Sequence, residues 1–184
     1  MTPALAHPGR LVTAHPFNPA HLMPLIELYG RDQESVETAV NFFTSMGKQT
    51  VRLKQDAVGH IANRLASALW REAVYIVAEG IADVEAVDAA LVHGPGLRWS
   101  VAGAHLSYHL GGGAGGLKSY LDHLGQVRSG DGHARGSPLT PETRAEETAG
   151  LTSAELEGRR DRLLLEALLL RKEMGTLTGL RASQ

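Results

Sequence analysis

The sequence predicts a mainly α-helical protein whose helices, residues 56–184, follow a small α/β segment, residues 1–55. Three observations support this fold class. Short apolar runs flank a helix-patterned stretch before residue 55, apolar residues recur at helical spacing after it, and glycines separate the helical stretches. The first segment therefore looks like the closing part of a larger α/β sheet, with an edge strand that would lack a partner.

Two short strands open the α/β segment. Arg10–His15 is rich in apolar residues and is expected to end at His15, because Pro16 has no N–H to donate to a sheet. Leu25–Tyr29 is predicted as the second strand, and alternation along it puts Glu27 on the same face as Leu25 and Tyr29. Two titratable side chains are thus predicted within short, apolar, extended segments.

A helix and a third strand complete this segment. Asp32 can cap the helix and Gly47 can end it. Between them, apolar residues recur at helical spacing, namely Val36, Ala39, Val40, Phe43 and Met46. Thr50–Leu53 is predicted as the third strand.

The rest of the chain is predicted to contain five helices. They cover the apolar stretch from Ile61 to Val77, the segment from Asp83 to about Gly94, residues 98–110, residues 117–124, and a leucine-rich stretch that ends at Met174. Gly125–Pro141 is rich in glycine, proline and serine and is predicted as a loop.

The last helix begins at a capping box, Thr152-Ser153-Ala154-Glu155. Apolar residues then follow each other at intervals of four, three and four along this helix, at Leu163, Ala167, Leu170 and Met174. Such a seam can pack on its own domain or against a second chain.

His15 and Glu27 are the candidate catalytic residues. A carboxylate beside an imidazole orients the ring and lets it act as a general base. The alternative is that His15 is a partly buried structural histidine and Glu27 lies on a solvated edge, since most lone polar residues in strands have no catalytic role. These residues alone leave both interpretations open.

Three ordered motifs resemble the L-3-hydroxyacyl-CoA dehydrogenase family. They are His15-Pro16-Phe17-Asn18-Pro19, then Leu25-Ile26-Glu27-Leu28, then Gly59-His60-Ile61-Ala62-Asn63-Arg64-Leu65. A later stretch, Gly94-Pro95-Gly96-Leu97-Arg98-Trp99, is similar to the branch that contains carnitine 3-dehydrogenase and the lambda-crystallin type L-gulonate 3-dehydrogenase. The α/β segment would then be a remnant of a Rossmann-like nucleotide-binding domain, followed by a helical substrate and dimerisation domain.

The resemblance implies NAD-dependent oxidation of a secondary 3-hydroxyl group, on an acyl-CoA or a small 3-hydroxy acid. His15 would take the hydroxyl proton, and Glu27 would orient the imidazole and stabilise the imidazolium. Asn63 would lie near the reacting group. Independently of the resemblance, Asn18 and Arg98 are candidates to contact the substrate, although single basic residues such as Arg98 are usually solvated. The family also implies a homodimer built mainly from the helices after residue 55.

The sequence departs from the family in ways that bear on the cofactor. Only fourteen residues precede His15, so neither the glycine fingerprint nor the serine near the nicotinamide has a counterpart. His60 stands where the family usually has phenylalanine, and Val58 stands where proline is common. The chain alone is therefore expected to bind NAD very weakly and to be inactive. The alternative function is a truncated, non-catalytic module for substrate binding and dimerisation.

Gly111–Gly116 satisfies the G-x-G-x-x-G pattern but lacks its context. A dinucleotide fingerprint needs a strand before it and an acidic residue about twenty positions later. Leu106–Leu110 looks instead like the end of a helix, so the glycines are predicted to connect two helices. His105 and His109 stand four residues apart without a third ligand, so no metal site is predicted.

Composition narrows the function classes further. The net charge is −2, from 18 basic and 20 acidic residues, which does not suggest binding to nucleic acid or to an anionic membrane. The sequence has no cysteine, and hence no disulfide or thiolate site. No apolar run reaches the length of a membrane span, and the first residues lack a signal-peptide pattern. A cytoplasmic protein is the simplest expectation.

Overall fold

A computed structural model of the chain describes residues 5–128 and 151–174. The chain forms two compact units, Met1–Glu79 and Gly80–Gln184. The predicted mainly α-helical fold with a small sheet is confirmed, because the described residues form three strands, all in the first unit, and seven α-helices. The two units divide later than residue 55, since the first helix after the sheet belongs to the first unit. The domain boundary at residue 55 stays a prediction.

The sheet of the first unit has three strands in sequence order. They are β1 (Val12–Pro16), β2 (Leu25–Gly30) and β3 (Gln49–Arg52). Strand β2 is central, antiparallel to β1 and parallel to β3. Each strand lies within one or two residues of its predicted position. Pro16 was expected to follow the strand but lies within it, opposite Ile26. An edge strand tolerates proline, because its N–H groups are not all needed for pairing.

Helix α1 (Gln33–Ser45) covers the sheet face opposite Glu27. Asp32 caps the start of this helix as predicted, because its carboxylate accepts a hydrogen bond from the N–H of Ser35 at 2.9 Å. Ile26, Leu28 and Val36 are buried between the sheet and the helix. Gly30 allows this close approach, because a β-carbon there would lie 2.8 Å from Cγ2 of Val36.

Helix α2 (Ala62–Ala78) begins without a side-chain cap of its own, because Ile61 occupies the N-cap position. The turn before it contains two consecutive residues with left-handed backbone, Gly59 with φ +79° and His60 with φ +50°. A non-glycine residue seldom adopts this conformation, and doing so costs free energy that the surrounding contacts must offset.

The second unit is helical. Its helices are α3 (Val84–His93), α4 (Pro95–Trp99), α5 (Ala104–Gly111), α6 (Gly116–Arg128) and α7 (Ser153–Met174). The prediction of one helix over residues 98–110 was wrong, because the chain leaves helical geometry between α4 and α5 and Gly103 becomes the N-cap of α5. The predicted loop Gly125–Pro141 was wrong at its start, since residues 125–128 belong to α6. Residues 129–141 lie outside the described residues.

A small core holds the second unit together. Its buried apolar residues among those described are Ala102, Leu110, Leu117 and Leu156. The hydroxyl of Ser107 is buried beside them and donates a 2.8 Å hydrogen bond to the carbonyl of Ala102. None of the described helices is long and apolar enough to cross a membrane.

The predicted capping box opens α7. The N–H of Thr152 donates to the carboxylate of Glu155 at 2.8 Å, and the N–H of Glu155 donates back to the Thr152 hydroxyl at 3.3 Å. Of the seam predicted along this helix, Leu163 is 43% exposed and Leu170 is 58% exposed. The seam is therefore not covered by the described residues of its own chain. The side chain of Met174 lies outside the described residues.

Candidate active site

His15 and Glu27 face each other across the antiparallel pair of strands. Their backbones are directly opposite in register, and both side chains lie on the same face of the sheet. Nδ1 of His15 lies 2.9 Å from Oε2 of Glu27, which is hydrogen-bonding distance. The alternative in which Glu27 lies on a solvated edge was wrong, because its side chain is 1% exposed on the central strand. The His15 side chain is 29% exposed.

The second oxygen of Glu27 binds the start of α2. Oε1 accepts hydrogen bonds from the N–H of Ile61 at 2.7 Å and from the N–H of Ala62 at 3.0 Å. The first N–H groups of a helix have no partner within the helix and carry a partial positive charge. Glu27 therefore replaces the side-chain cap that α2 lacks, although it lies 34 residues earlier in the chain.

These contacts keep Glu27 ionised. Burial raises the pKa of Glu27, but the hydrogen bonds from His15, Ala62 and Ile61 together outweigh burial and hold the pKa below its ordinary value of 4.5. At neutral pH the carboxylate is an anion that can only accept hydrogen bonds.

The charge on Glu27 fixes the tautomer of His15. An ionised carboxylate needs a donor, so Nδ1 of a neutral His15 ring carries the proton and donates it to Glu27. Nε2 then has a free lone pair, with no hydrogen-bond donor to it among the described residues. A partly exposed imidazole in this state can take a proton from a bound hydroxyl group, and the buried carboxylate stabilises the imidazolium that results.

His60 is a site residue that sequence analysis noted as a substitution but did not assign to the site. Its ring stacks on the ring of His15, with centroids 4.5 Å apart and planes inclined by 13°. In this position His60 has a left-handed backbone, with φ +50°. The sequence did contain a signal, because a glycine-histidine pair before a helix without a capping side chain indicates an unusual turn.

The three residues expected to contact substrate lie in different places. Asn63 is exposed in the first turn of α2, next to the N–H group of Ala62 that binds Glu27. Asn18 is exposed in the connection between β1 and β2, where the Asn18–Pro19 peptide bond is cis. Arg98 is exposed in α4, in the second unit. Asn63 is thus the one that the structure brings to the segment holding the catalytic pair.

The glycine run does not fit a dinucleotide. Gly113–Gly115 forms a single 3-10 turn after helix α5, not a turn after a strand. Gly116 lies against the ring of His109, where an added β-carbon would come within 2.7 Å of the ring. The run therefore connects two helices as predicted, and it offers no cradle for a pyrophosphate. They also show no cluster of three or more side chains that could hold a metal ion.

Comparison with known families agrees with the resemblance found in the sequence. Residues 59–179 match the family described as 3-hydroxyacyl-CoA dehydrogenase, C-terminal domain. Residues 1–57 match the family described as 3-hydroxyacyl-CoA dehydrogenase, NAD binding domain.

Curated relatives carry the name L-carnitine dehydrogenase. The protein from Nocardiopsis dassonvillei is 41% identical over 169 residues, which cover 86% of this chain and 51% of the relative. The protein from Bacillus cereus is 37% identical over 174 residues, which cover 89% of this chain and 53% of the relative. The chain thus spans about half the length of these relatives.

Solved structures share the fold. A 3-hydroxyacyl-CoA dehydrogenase from Archaeoglobus fulgidus has a TM-score of 0.64 at 22% identity, covering 90% of this chain and 61% of that one. FHMPC 5-dehydrogenase, described as an NAD+-dependent dismutase, has a TM-score of 0.63 at 25% identity, covering 91% of this chain and 58% of that one.

Proposed function

Because the chain belongs to the 3-hydroxyacyl-CoA dehydrogenase family, we propose that it acts in the NAD-dependent oxidation of a secondary 3-hydroxyl group. The observation that carries the proposal is the 2.9 Å contact between His15 and Glu27, with Glu27 held as an anion by the start of α2. This arrangement suits removal of a proton from an alcohol.

The contact between His15 and Glu27 supports the proton-transfer half of the proposed reaction. Nε2 of His15 accepts the proton of the substrate hydroxyl, and Glu27 stabilises the resulting imidazolium without taking the proton itself. Asn63, one residue after the N–H group that binds Glu27, is proposed to hydrogen-bond the reacting oxygen. NAD is the cofactor of the family, but the described residues do not account for its binding.

We propose a small 3-hydroxy acid as the substrate, with an acyl-CoA as the alternative. Support comes from the relatives named L-carnitine dehydrogenase, which share 37–41% identity over most of this chain. Asn18 and Arg98 remain proposed substrate contacts, and a cytoplasmic location remains part of the proposal.

A second candidate function is a non-catalytic module that binds substrate and dimerises. It is favoured because the only G-x-G-x-x-G sequence in the chain, Gly111–Gly116, connects two helices and so offers no cradle for a nucleotide. A homodimer fits both candidates, because α2 and α7 expose large apolar side chains. Among them are Leu65, Trp70, Val74, Leu165 and Leu169. An obligate interface of this kind would bury more than about 2,000 Å² in total.

The two candidates are separated by measuring turnover in two preparations. One is the chain itself, and the other is a fusion in which the half of the Nocardiopsis dassonvillei relative that this chain does not match precedes these residues. We expect NAD reduction with L-carnitine or 3-hydroxybutyryl-CoA in the fusion only, and its loss in His15→Asn. A folded fusion that binds NADH but reduces no NAD with either substrate would favour the non-catalytic module.

A further inference from the structure

His60 lies beside the proposed base and covers one face of its ring. The rings of His15 and His60 stack with centroids 4.5 Å apart and planes inclined by 13°, within the range of favourable aromatic pairs. His60 also lines a cleft of about 670 Å³ between the segment after β3 and the first turns of α2, and His15 does not. The ring of His60 therefore contacts the proposed base and borders a cleft that the base itself does not line.

A hydrogen bond at one atom does not fix the orientation of an imidazole ring. Glu27 holds Nδ1 of His15 at 2.9 Å, but the ring can still tilt about the line that joins the two atoms. A second ring lying parallel to the first opposes this tilt, because the edge of the His15 ring would collide with the face of His60. Glu27 and His60 together therefore restrict the direction in which Nε2 of His15 points.

The backbone of His60 indicates that its side chain does more than complete the turn. His60 adopts φ +50°, a conformation that costs free energy for an L-residue and that glycine adopts readily. The residue before it, Gly59, is already a glycine in the left-handed region. The N–H of His60 donates to the carbonyl of Ala57 at 3.0 Å, a contact open to any residue except proline. A strained histidine where glycine would satisfy the turn is the kind of outlier that points to a functional position.

We propose that His60 is a positioning residue for His15, whose imidazole it holds in the orientation that leaves Nε2 free for the substrate hydroxyl group. This role rests on the proposed function and adds a residue to that site. His60 takes no proton from the substrate. The flat face of its ring is what acts on His15, so a phenyl ring in the same place should do the same.

Three variants separate the effect of the ring from the strain of the turn. His60→Phe keeps a flat ring and the strained backbone, His60→Ala keeps the strain without the ring, and His60→Gly removes both. The melting temperature should be higher for His60→Gly than for His60→Ala, because glycine adopts a positive φ without the steric cost. The orientation of His15 should instead follow the presence of the ring.

The first measurement uses the full chain and needs neither nucleotide nor turnover. Exchange of the Nδ1 proton of His15 with water is followed by ¹H–¹⁵N NMR in wild type and in each variant. We expect exchange about two- to tenfold faster in His60→Ala and His60→Gly, since the stacking of an aromatic pair contributes about 0.5–1.5 kcal/mol. His60→Phe should stay within about twofold of wild type. Val58→Ala, at a residue 94% exposed in the same turn region, is the control and should not change the exchange.

The second measurement follows NAD reduction by the fusion described above. In His60→Ala, kcat should fall about two- to tenfold while KM changes by less than about twofold, because a misdirected base weakens the transition state more than it weakens substrate binding. His60→Phe should restore most of the lost kcat. His60→Gly should remain as slow as His60→Ala although its fold is more stable.

Three results would overturn the role of His60. They are wild-type exchange at His15 in His60→Ala, a His60→Phe variant that behaves like His60→Ala, and a His60→Gly variant that regains wild-type exchange together with its stability. The last result would mean that His60 acts through the turn and not through its ring. Faster exchange in His60→Ala, combined with a wild-type fusion that shows no turnover, would leave the positioning of His15 assigned to His60 and remove the oxidoreductase proposal.

Discussion

The buried carboxylate of Glu27 binds Nδ1 of His15 with one oxygen and the first N–H groups of α2 with the other. One side chain therefore caps a helix, joins that helix to the sheet and orients the proposed base. The start of α2 also carries Asn63 and follows His60, so one proposed substrate contact and the ring stacked on His15 are positioned by the same interaction. Changes at Glu27 should accordingly affect stability and the state of His15 together.

Stability should depend on pH through Glu27. Because its pKa in the folded protein lies below the ordinary 4.5, ionised Glu27 stabilises the fold above 4.5, and this contribution is lost as pH falls through the folded value. Urea unfolding of wild type and Glu27→Gln is therefore expected to show a difference at neutral pH that shrinks as pH falls below 4.5. A difference that stays constant down to pH values well below 4.5 would contradict the assignment.

Gly30→Ala should destabilise the first unit. The new β-carbon would lie 2.8 Å from Val36 and 3.2 Å from Val12, and such crowding in a packed core typically costs about 1–3 kcal/mol. Gly9→Ala is the matched control, because nothing lies within 4 Å of the added atom, and it should change stability by less than about 0.5 kcal/mol. Thermal unfolding of both variants tests this. Equal melting temperatures for Gly30→Ala and Gly9→Ala would contradict the close packing of α1 on the sheet at Gly30.

The chain alone should bind NADH very weakly. The glycine run Gly111–Gly116 follows helix α5 and not a strand, so it offers no cradle for a pyrophosphate between a strand and a helix. A fluorescence titration of the purified chain with NADH checks this. Saturable binding in the micromolar range, lost when Gly113 is replaced by valine, would mean that the glycine run does bind the nucleotide.

The chain should form a homodimer through its exposed helical faces. Trp70 is 69% exposed on α2, and a charge at such a position would disrupt an apolar interface. Trp70→Glu should therefore shift the dimer toward monomer in light scattering with dilution. Leu22→Glu, at a residue 73% exposed in the connection between β1 and β2, is the control and should not. Wild type that stays monomeric at high micromolar concentration while remaining helical would refute the dimer.

Local patterns in the sequence were sufficient to predict most of the helices and strands. The predicted helix starts at Asp32, Asp83 and Thr152 are all confirmed, and at each one the side chain accepts a hydrogen bond from the N–H three residues later. The family motifs implied that Glu27 orients His15, and the two side chains are within hydrogen-bonding distance at 2.9 Å.

Contacts between distant segments could not be predicted from the spacing of apolar residues along the chain. Glu27 meets Ile61 across 34 residues, and His60 meets His15 because the turn before α2 is left-handed. For the contact between Glu27 and Ile61, the only local indication in the sequence was that Ile61, at the N-cap of α2, has no capping side chain. The interruption between α4 and α5 was missed for a similar reason, since Gly103 caps α5 where helical spacing alone suggested continuity.

The tautomer of His15 tests the central claim most directly. A long-range ¹H–¹⁵N correlation spectrum of the histidine rings, recorded at about pH 8 where an ordinary imidazole is neutral, separates the two tautomers. We predict that wild-type His15 carries its proton on Nδ1 and leaves Nε2 free, and that Glu27→Gln increases the Nε2–H form because the amide can donate to Nδ1. A wild-type His15 with its proton on Nε2 would contradict the role of this residue as the base.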